Sequence, residues 1–143
     1  MTLELRPASP ERKFGDPALV GQWAAMLPGM LEREQVAPWC SYAVRREGEL
    51  VGLGGFKGPL DATGAVEIGY LTFIPFEGQG IAGQVVDRLC GIAGGEGATA
   101  VLAHTLPEEN ASNRALKSND FSFDGEVIDP EDGPVWRWRR SLT

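Results

Sequence analysis

The stretch "AVEIGYLTFIPFEGQGIAGQVVDRL", residues 65–89, most constrains what this chain can fold into. Residues 65–73 alternate, with Val66, Ile68, Tyr70 and Thr72 facing one way and Glu67, Gly69, Leu71 and Phe73 the other, which predicts a strand. From Ile81 onward, Ala82, Val85, Val86, Leu89, Ile92 and Ala93 form one helical face that should end at Gly94-Gly95. Between strand and helix lies Gly78-Gln79-Gly80. Glycine weakens regular elements, so its place here marks a backbone that something must approach closely. The first amides of a helix have no intrahelical partner and sit at the positive end of its dipole, which suits an anion such as phosphate.

Two familiar phosphate loops do not fit. The Gly-Lys-Ser/Thr ending of the Walker loop is missing at Gly80-Ile81-Ala82. The string "GQGIAG" (78–83) matches G-x-G-x-x-G, but that fingerprint belongs to the first strand of a parallel unit, with an acidic residue about 20 positions on. Here the loop lies mid-chain behind three predicted antiparallel strands, and "GIAGGEGATA" follows. A glycine-rich turn with no ligand stays open at this point.

The rest of the chain supplies an α/β frame. "TLELRP" (2–7) reads as a short strand stopped by Pro7. "DPALVGQWAAML" (16–27) reads as a helix opened by Asp16-Pro17, with a second short helix or loop reaching Pro38. "CSYAVRREGELVGLGGF" (40–56) reads as two strands about a Glu47-Gly48 turn, and "KGPLDATG" (57–64) as a loop. "ATAVLAHT" (98–105) is an apolar strand, "ENASNRALKS" (109–118) a short helix with Asn or Ser at its start, and residues 121–128 and 135–140 strands about a turn. The order predicts one α/β domain over residues 1–143, with a mixed, mostly antiparallel sheet of six to seven strands flanked by helices. Trp136 and Trp138 alternate with Arg137 and Arg139, so both indoles share a face, for the core first and a homodimer surface second.

Charge and rare residues exclude several functions. The net charge of −7 argues against nucleic-acid binding, which needs surplus Lys and Arg, and suits an amine-bearing partner. No apolar run approaches the ~20 residues of a membrane span, and the N-terminus has no signal-peptide centre, so a cytoplasmic protein with no membrane partner is expected. Cys40 and Cys90 lack CxxC spacing and are read as buried thiols, not a disulfide. The single histidine, His104, cannot build a zinc site and is read as packing at a strand end, so no metal is expected.

Residues 66–89 resemble the acetyl-CoA-binding core of the GNAT (Gcn5-related) N-acetyltransferases, whose signature is (Gln/Arg)-x-x-Gly-x-(Gly/Ala), with Gly80 and Ala82 in its last two places. "GELVGLGGFKG" (48–58) resembles the family's paired strands, and residues 105–127 resemble its Asn/Ser helix and following Gly-Phe, most like the ribosomal-protein-alanine acetyltransferase branch. The resemblance implies an N-acetyltransferase domain that takes acetyl-CoA as co-substrate. Leu71, Thr72, Phe73 and Ile74 would meet the pantetheine arm through their main chain. Gln79, Gly80, Ile81 and Ala82 would donate N–H groups to the pyrophosphate, and Asn110 and Ser112 would stand beside the sulfur and pantetheine. The chain departs from the pattern at Glu77 for Gln/Arg, at Asp120 for Gly before Phe121, and in the two-residue spacing of Asn110 and Ser112. Glu77 is expected to turn to solvent, because a carboxylate ~5 Å from a phosphate costs about 1–3 kcal/mol. Asp120 suits a left-handed backbone.

Acetyl transfer needs a neutral amine, a polarised thioester carbonyl and a proton for the departing thiolate. Glu67, an acid within an apolar strand, is the candidate base, and Ser112 the candidate proton donor or water anchor. Tyr70 points away from Glu67 and is read as packing. Direct attack in a ternary complex leaves the cysteines no catalytic role. The acceptor stays open between an amine-bearing small molecule and a protein N-terminus. A non-catalytic acyl-CoA-binding or sensing module and a nucleotide-binding protein are the alternative functions.

Overall fold

The computed structural model describes residues 3–7, 38–108, 110–130 and 133–142. The helices expected over 16–27 and up to 38 lie outside the described residues. Strand β1 spans Leu3–Pro7, β2 Ser41–Arg46, β3 Glu49–Phe56 and β4 Ala65–Thr72. A 3-10 turn, Ile74–Phe76, leads to helix α1, Ile81–Gly95. Strand β5 (Ala100–Thr105), helix α2 (Ala111–Ser118), β6 (Ser122–Asp129) and β7 (Gly133–Ser141) complete the order.

Among the described residues the seven strands form one sheet in the order β1-β2-β3-β4-β5-β7-β6. Every neighbouring pair is antiparallel except β4 and β5. The fold is therefore α/β with a mixed, mostly antiparallel sheet. Local chemistry explains the joints. Glu47 and Gly48 both take positive φ, 54° and 82°, which closes the two-residue hairpin between β2 and β3. Asp120 sits at φ 65°, the left-handed backbone that its place before Phe121 called for.

The parallel pair is the element that matters for function. Its register runs from Ala65↔Ala100 to Ile68↔Ala103 and stops there, although β4 continues to Thr72 and β5 to Thr105. Gly69–Thr72 keep their partners on β3, from Gly55 back to Gly52. On the β5 side the two strands part. A wedge thus opens between neighbouring strands in the middle of the sheet.

Alternation along β4 divides its side chains between the two faces of the sheet. Val66, Ile68 and Tyr70 lie on the face that receives α1 and α2, where they meet Val85, Leu89, Val101 and Leu116. Burying each of these side chains contributes about 1.5–3 kcal/mol. Trp138 is buried on the same cluster and Trp136 packs at its margin, and Phe123 lies edge-on to both indoles with centroids 5.7 Å away. Cys40 and Cys90 are free and buried, and burial pushes the Cys90 thiol up to about 11. No described helix is long and apolar enough to cross a membrane.

Helix α1 comes this close to the sheet because of one glycine. A Cβ at Gly54 would stand 2.6 Å from Val85 Cγ1 and 3.7 Å from Tyr70 Cβ. Valine cannot swing aside without losing its rotamer, so any side chain here must lift α1. Gly54→Ala is expected to cost about 1–3 kcal/mol, read as a lower urea midpoint at unchanged slope. An unshifted midpoint would contradict the close approach.

Candidate functional site

The wedge opens into a cavity of about 1300 Å³ bounded by the free end of β4, the glycine loop and the facing sides of α1 and α2. Pro75 stiffens the 3-10 turn, and Phe73, wholly buried, anchors its start by donating its N–H to Val51 O at 2.9 Å. Gly78 and Gly80 both take φ 76°, and a Cβ built on either meets nothing within 4 Å. The left-handed backbone is therefore the reason for glycine here, and the space before it stays open.

Gly80 is the N-cap of α1 and provides no side-chain cap, and the first turn holds no acidic residue. The leading amides of α1 thus lack the side-chain partner that most helices supply, and Ile81, Ala82 and Gly83 line the cavity. An uncapped helix start with partial positive charge, facing a space this size, has the electrostatics that suit the anionic group of a ligand. Glu77 stands exposed at the rim.

Helix α2 forms the opposite wall, held by a buried polar network. Asn110 caps α2 by accepting the Asn113 N–H at 3.0 Å. Asn113 is fully buried; its Oδ1 accepts from Thr105 Oγ1 at 2.6 Å, and its Nδ2 donates to Glu108 O. Thr105 in turn accepts from Trp138 Nε1 at 3.1 Å. The chain Trp138–Thr105–Asn113 therefore ties β7, the end of β5 and α2 together. Asn119 Nδ2 donates to Gly83 O and Ala115 O, both at 2.9 Å, and so links α2 to α1. Tyr70, lining the cavity, donates its hydroxyl to Ser112 O at 3.2 Å. Burial pushes that phenol up to about 12, so it stays a neutral donor.

The other face of β4 carries a separate group. Glu67 Oε2 lies 2.7 Å from Lys57 Nζ and 3.1 Å from His104 Nδ1, with its side chain 29% exposed. The carboxylate that the strand pattern placed among apolar residues is instead paired with an ammonium and an imidazole. Lys57 follows β3, Glu67 is on β4 and His104 is on β5, so three neighbouring strands build the cluster.

Leu71, Thr72, Gly80, Ile81, Ala82 and Ser112 line the one cavity. The side chain of Phe73 lies in the core and that of Ile74 is exposed. Gln79 is turned to Arg46, whose Nη1 donates to its Oε1 at 2.6 Å. Asn110 does not line the cavity, because its side chain is committed to the cap of α2; this also frees Ser112 from capping. Glu67 lies across the sheet from the cavity. Asn113, Lys57 and Arg46 were not expected from the sequence: each meets partners through tertiary packing, and nothing in its spacing announces them.

A family model described as "Acetyltransferase (GNAT) domain" matches residues 3–122. No curated protein matches the chain. Among solved structures, RimL, a ribosomal L7/L12 alpha-N-protein acetyltransferase in complex with coenzyme A, has a TM-score of 0.76 and 21% identity, over 98% of this chain and 94% of that one. An acetyltransferase from Salmonella typhimurium that modifies the N-terminal serine of ribosomal protein L7/L12 gives 0.72 and 18%, over 99% and 96%. The microcin C7 self-immunity acetyltransferase MccE, in complex with acetyl-CoA and AMP, gives 0.68 and 16%, over 85% and 71%. At these identities the likeness is one of fold.

The buried network makes a direct prediction. Asn113→Ala leaves the buried Thr105 hydroxyl without its acceptor, at about 1–3 kcal/mol for a buried group left unpaired, and releases the exposed Glu108 carbonyl to water. Its thermal midpoint should fall, and ligand affinity with it, since the α2 wall loosens. A variant as stable as the parent would show that the network does not hold that wall.

Proposed function

The chain belongs to the GNAT acetyltransferase family, and from that premise we propose that it transfers an acetyl group from acetyl-CoA to a primary amine by direct attack in a ternary complex. One observation carries this reading: β4 and β5 part beside a helix start whose amides have no side-chain cap. A long, flexible ligand with an anionic group can lie along the freed edge of β4 and end its charge at α1. The RimL and MccE structures, in complex with coenzyme A and acetyl-CoA, support the same use of the shared fold.

In this reading Leu71, Thr72, Phe73 and Ile74 offer main-chain groups to the pantetheine arm. The N–H groups of Gln79, Gly80, Ile81 and Ala82 hold the pyrophosphate, and Arg46 adds positive charge beside Gln79. Acetyl-CoA supplies the activated thioester. Asn110 acts by fixing α2 and not by touching the ligand. Ser112, on the cavity wall, gives a proton to sulfur or fixes a water that does. Glu67, on the far face of β4, is the carboxylate that serves removal of the amine's proton. Amine and acyl donor thus meet through the wedge from opposite faces of the sheet.

The acceptor is an amine-bearing small molecule or a protein N-terminus, and the second class is favoured by the ribosomal-protein acetyltransferases among the structural relatives. The cytoplasm suits a chain whose described cysteines are both free thiols. Release of free thiol from acetyl-CoA should be measured across serine- and alanine-headed peptides, polyamines and amino compounds. The reading expects at least one amine to stimulate release, and Glu67→Gln to lower kcat by ~10²-fold or more while the acetyl-CoA Kd holds. Binding of acetyl-CoA without release for any amine would favour a sensing module; binding of ATP or NAD in its place would overturn the reading.

A further inference from the structure

We propose that His104 is the group that takes the proton from the attacking amine, with Glu67 as the carboxylate that positions it; this rests on the acetyl-transfer reading above. Several observations converge on that imidazole. His104 Nδ1 faces Glu67 Oε2 at 3.1 Å, an arrangement that keeps the ring proton on Nδ1 and leaves the Nε2 lone pair to accept another. The same carboxylate oxygen is held by Lys57 Nζ at 2.7 Å, which fixes the carboxylate in turn.

Position singles out this pair. The last register pair of the parallel strands is Ile68↔Ala103, so His104 is the first residue of β5 past the point where the wedge opens. The β4 residue that would stand opposite is Gly69, which brings no side chain. Among the described residues a Cβ built there meets only Lys57 Cε, at 3.4 Å. Among the described residues, the face of the sheet beside Glu67 and His104 thus carries no side chain over one residue, at the place where an acceptor must reach the wedge.

A structural role explains the cluster less well. The Lys57 and Glu67 side chains are 41% and 29% exposed, and solvent-screened ion pairs of that kind add little to stability. Among the described residues, the charged groups around His104 include Glu67 on β4, Lys57 after β3, and Arg137 directly across on β7, itself paired with Asp124 at 3.0 Å.

The step balances as follows. The amine nitrogen gives a proton to Nε2 and its lone pair forms the bond to the thioester carbonyl carbon. The carbon–sulfur bond breaks with its electrons on sulfur, the thiolate takes a proton from water or from the Ser112 hydroxyl, which water reprotonates, and His104 gives its proton back to solvent.

Because His104 is the only histidine in the chain, its imidazole can be followed without assignment. In the ligand-free protein, 15N spectra of the neutral ring should show the Nδ1–H tautomer, shifting toward Nε2–H in Glu67→Gln. With the best amine of the panel, His104→Gln should lower kcat/KM by ~10²-fold or more and change the shape of its pH profile. The acetyl-CoA Kd should stay within about twofold, since the cavity lies across the sheet, and imidazole should partly rescue His104→Ala. An Nε2–H tautomer in the parent, or His104→Gln with parental kcat/KM and pH profile, would overturn the assignment while leaving acetyl transfer intact. A parent that binds acetyl-CoA but acetylates no amine would remove both.

Discussion

The structure depends on one break in hydrogen bonding. Two parallel strands in the middle of a sheet pair for four residues and then separate, each running on. Backbone N–H and C=O groups released in this way seek partners, because leaving them buried and unpaired costs as much as a lost hydrogen bond. The uncapped first turn of α1 has the same character, being a second set of amides whose partner must come from outside α1.

Much of the described chain serves to hold the break open. Gly54 brings α1 down onto β3 and β4, which sets its first turn against the free end of β4. Asn119 spans α1 and α2. The Trp138–Thr105–Asn113 chain fixes where α2 begins relative to the end of β5. Together they fix both helical walls of the cavity. The far face of the sheet is organised otherwise: there the register of three strands brings Lys57, Glu67 and His104 together, with Gly69 leaving space beside them. The wedge lies between these two regions, and the proposed reaction runs through it, with the donor on one face and the acceptor on the other.

The sequence made the local features legible. The strand, glycine turn and helix of residues 65–95 lie where alternation and helical spacing placed them, and Asp120 adopts the left-handed backbone expected of it. Hairpin and turn chemistry located β2, β3, β6 and β7 within a residue or two. The features that escaped depend on tertiary register. The pattern around Glu67 showed an acid among apolar neighbours, but its ion pairs come from strands ten residues back and 37 residues ahead in sequence. His104 read as packing because a lone histidine has no spacing to interpret. Asn113 was hidden behind Asn110 and Ser112, which sit closer to the helix start, yet it is Asn113 that the fold buries.

The central claim is that the leading amides of α1, together with the freed edge of β4, receive the charged and extended parts of one ligand. Titrating the 15N-labelled chain with coenzyme A while following its backbone amide resonances tests this most directly. The account predicts large, saturable shifts at Gly80, Ile81 and Ala82 that rise in step with shifts at Leu71 and Thr72. Binding that leaves those five amides in place, or moves only one of the two groups, would contradict it.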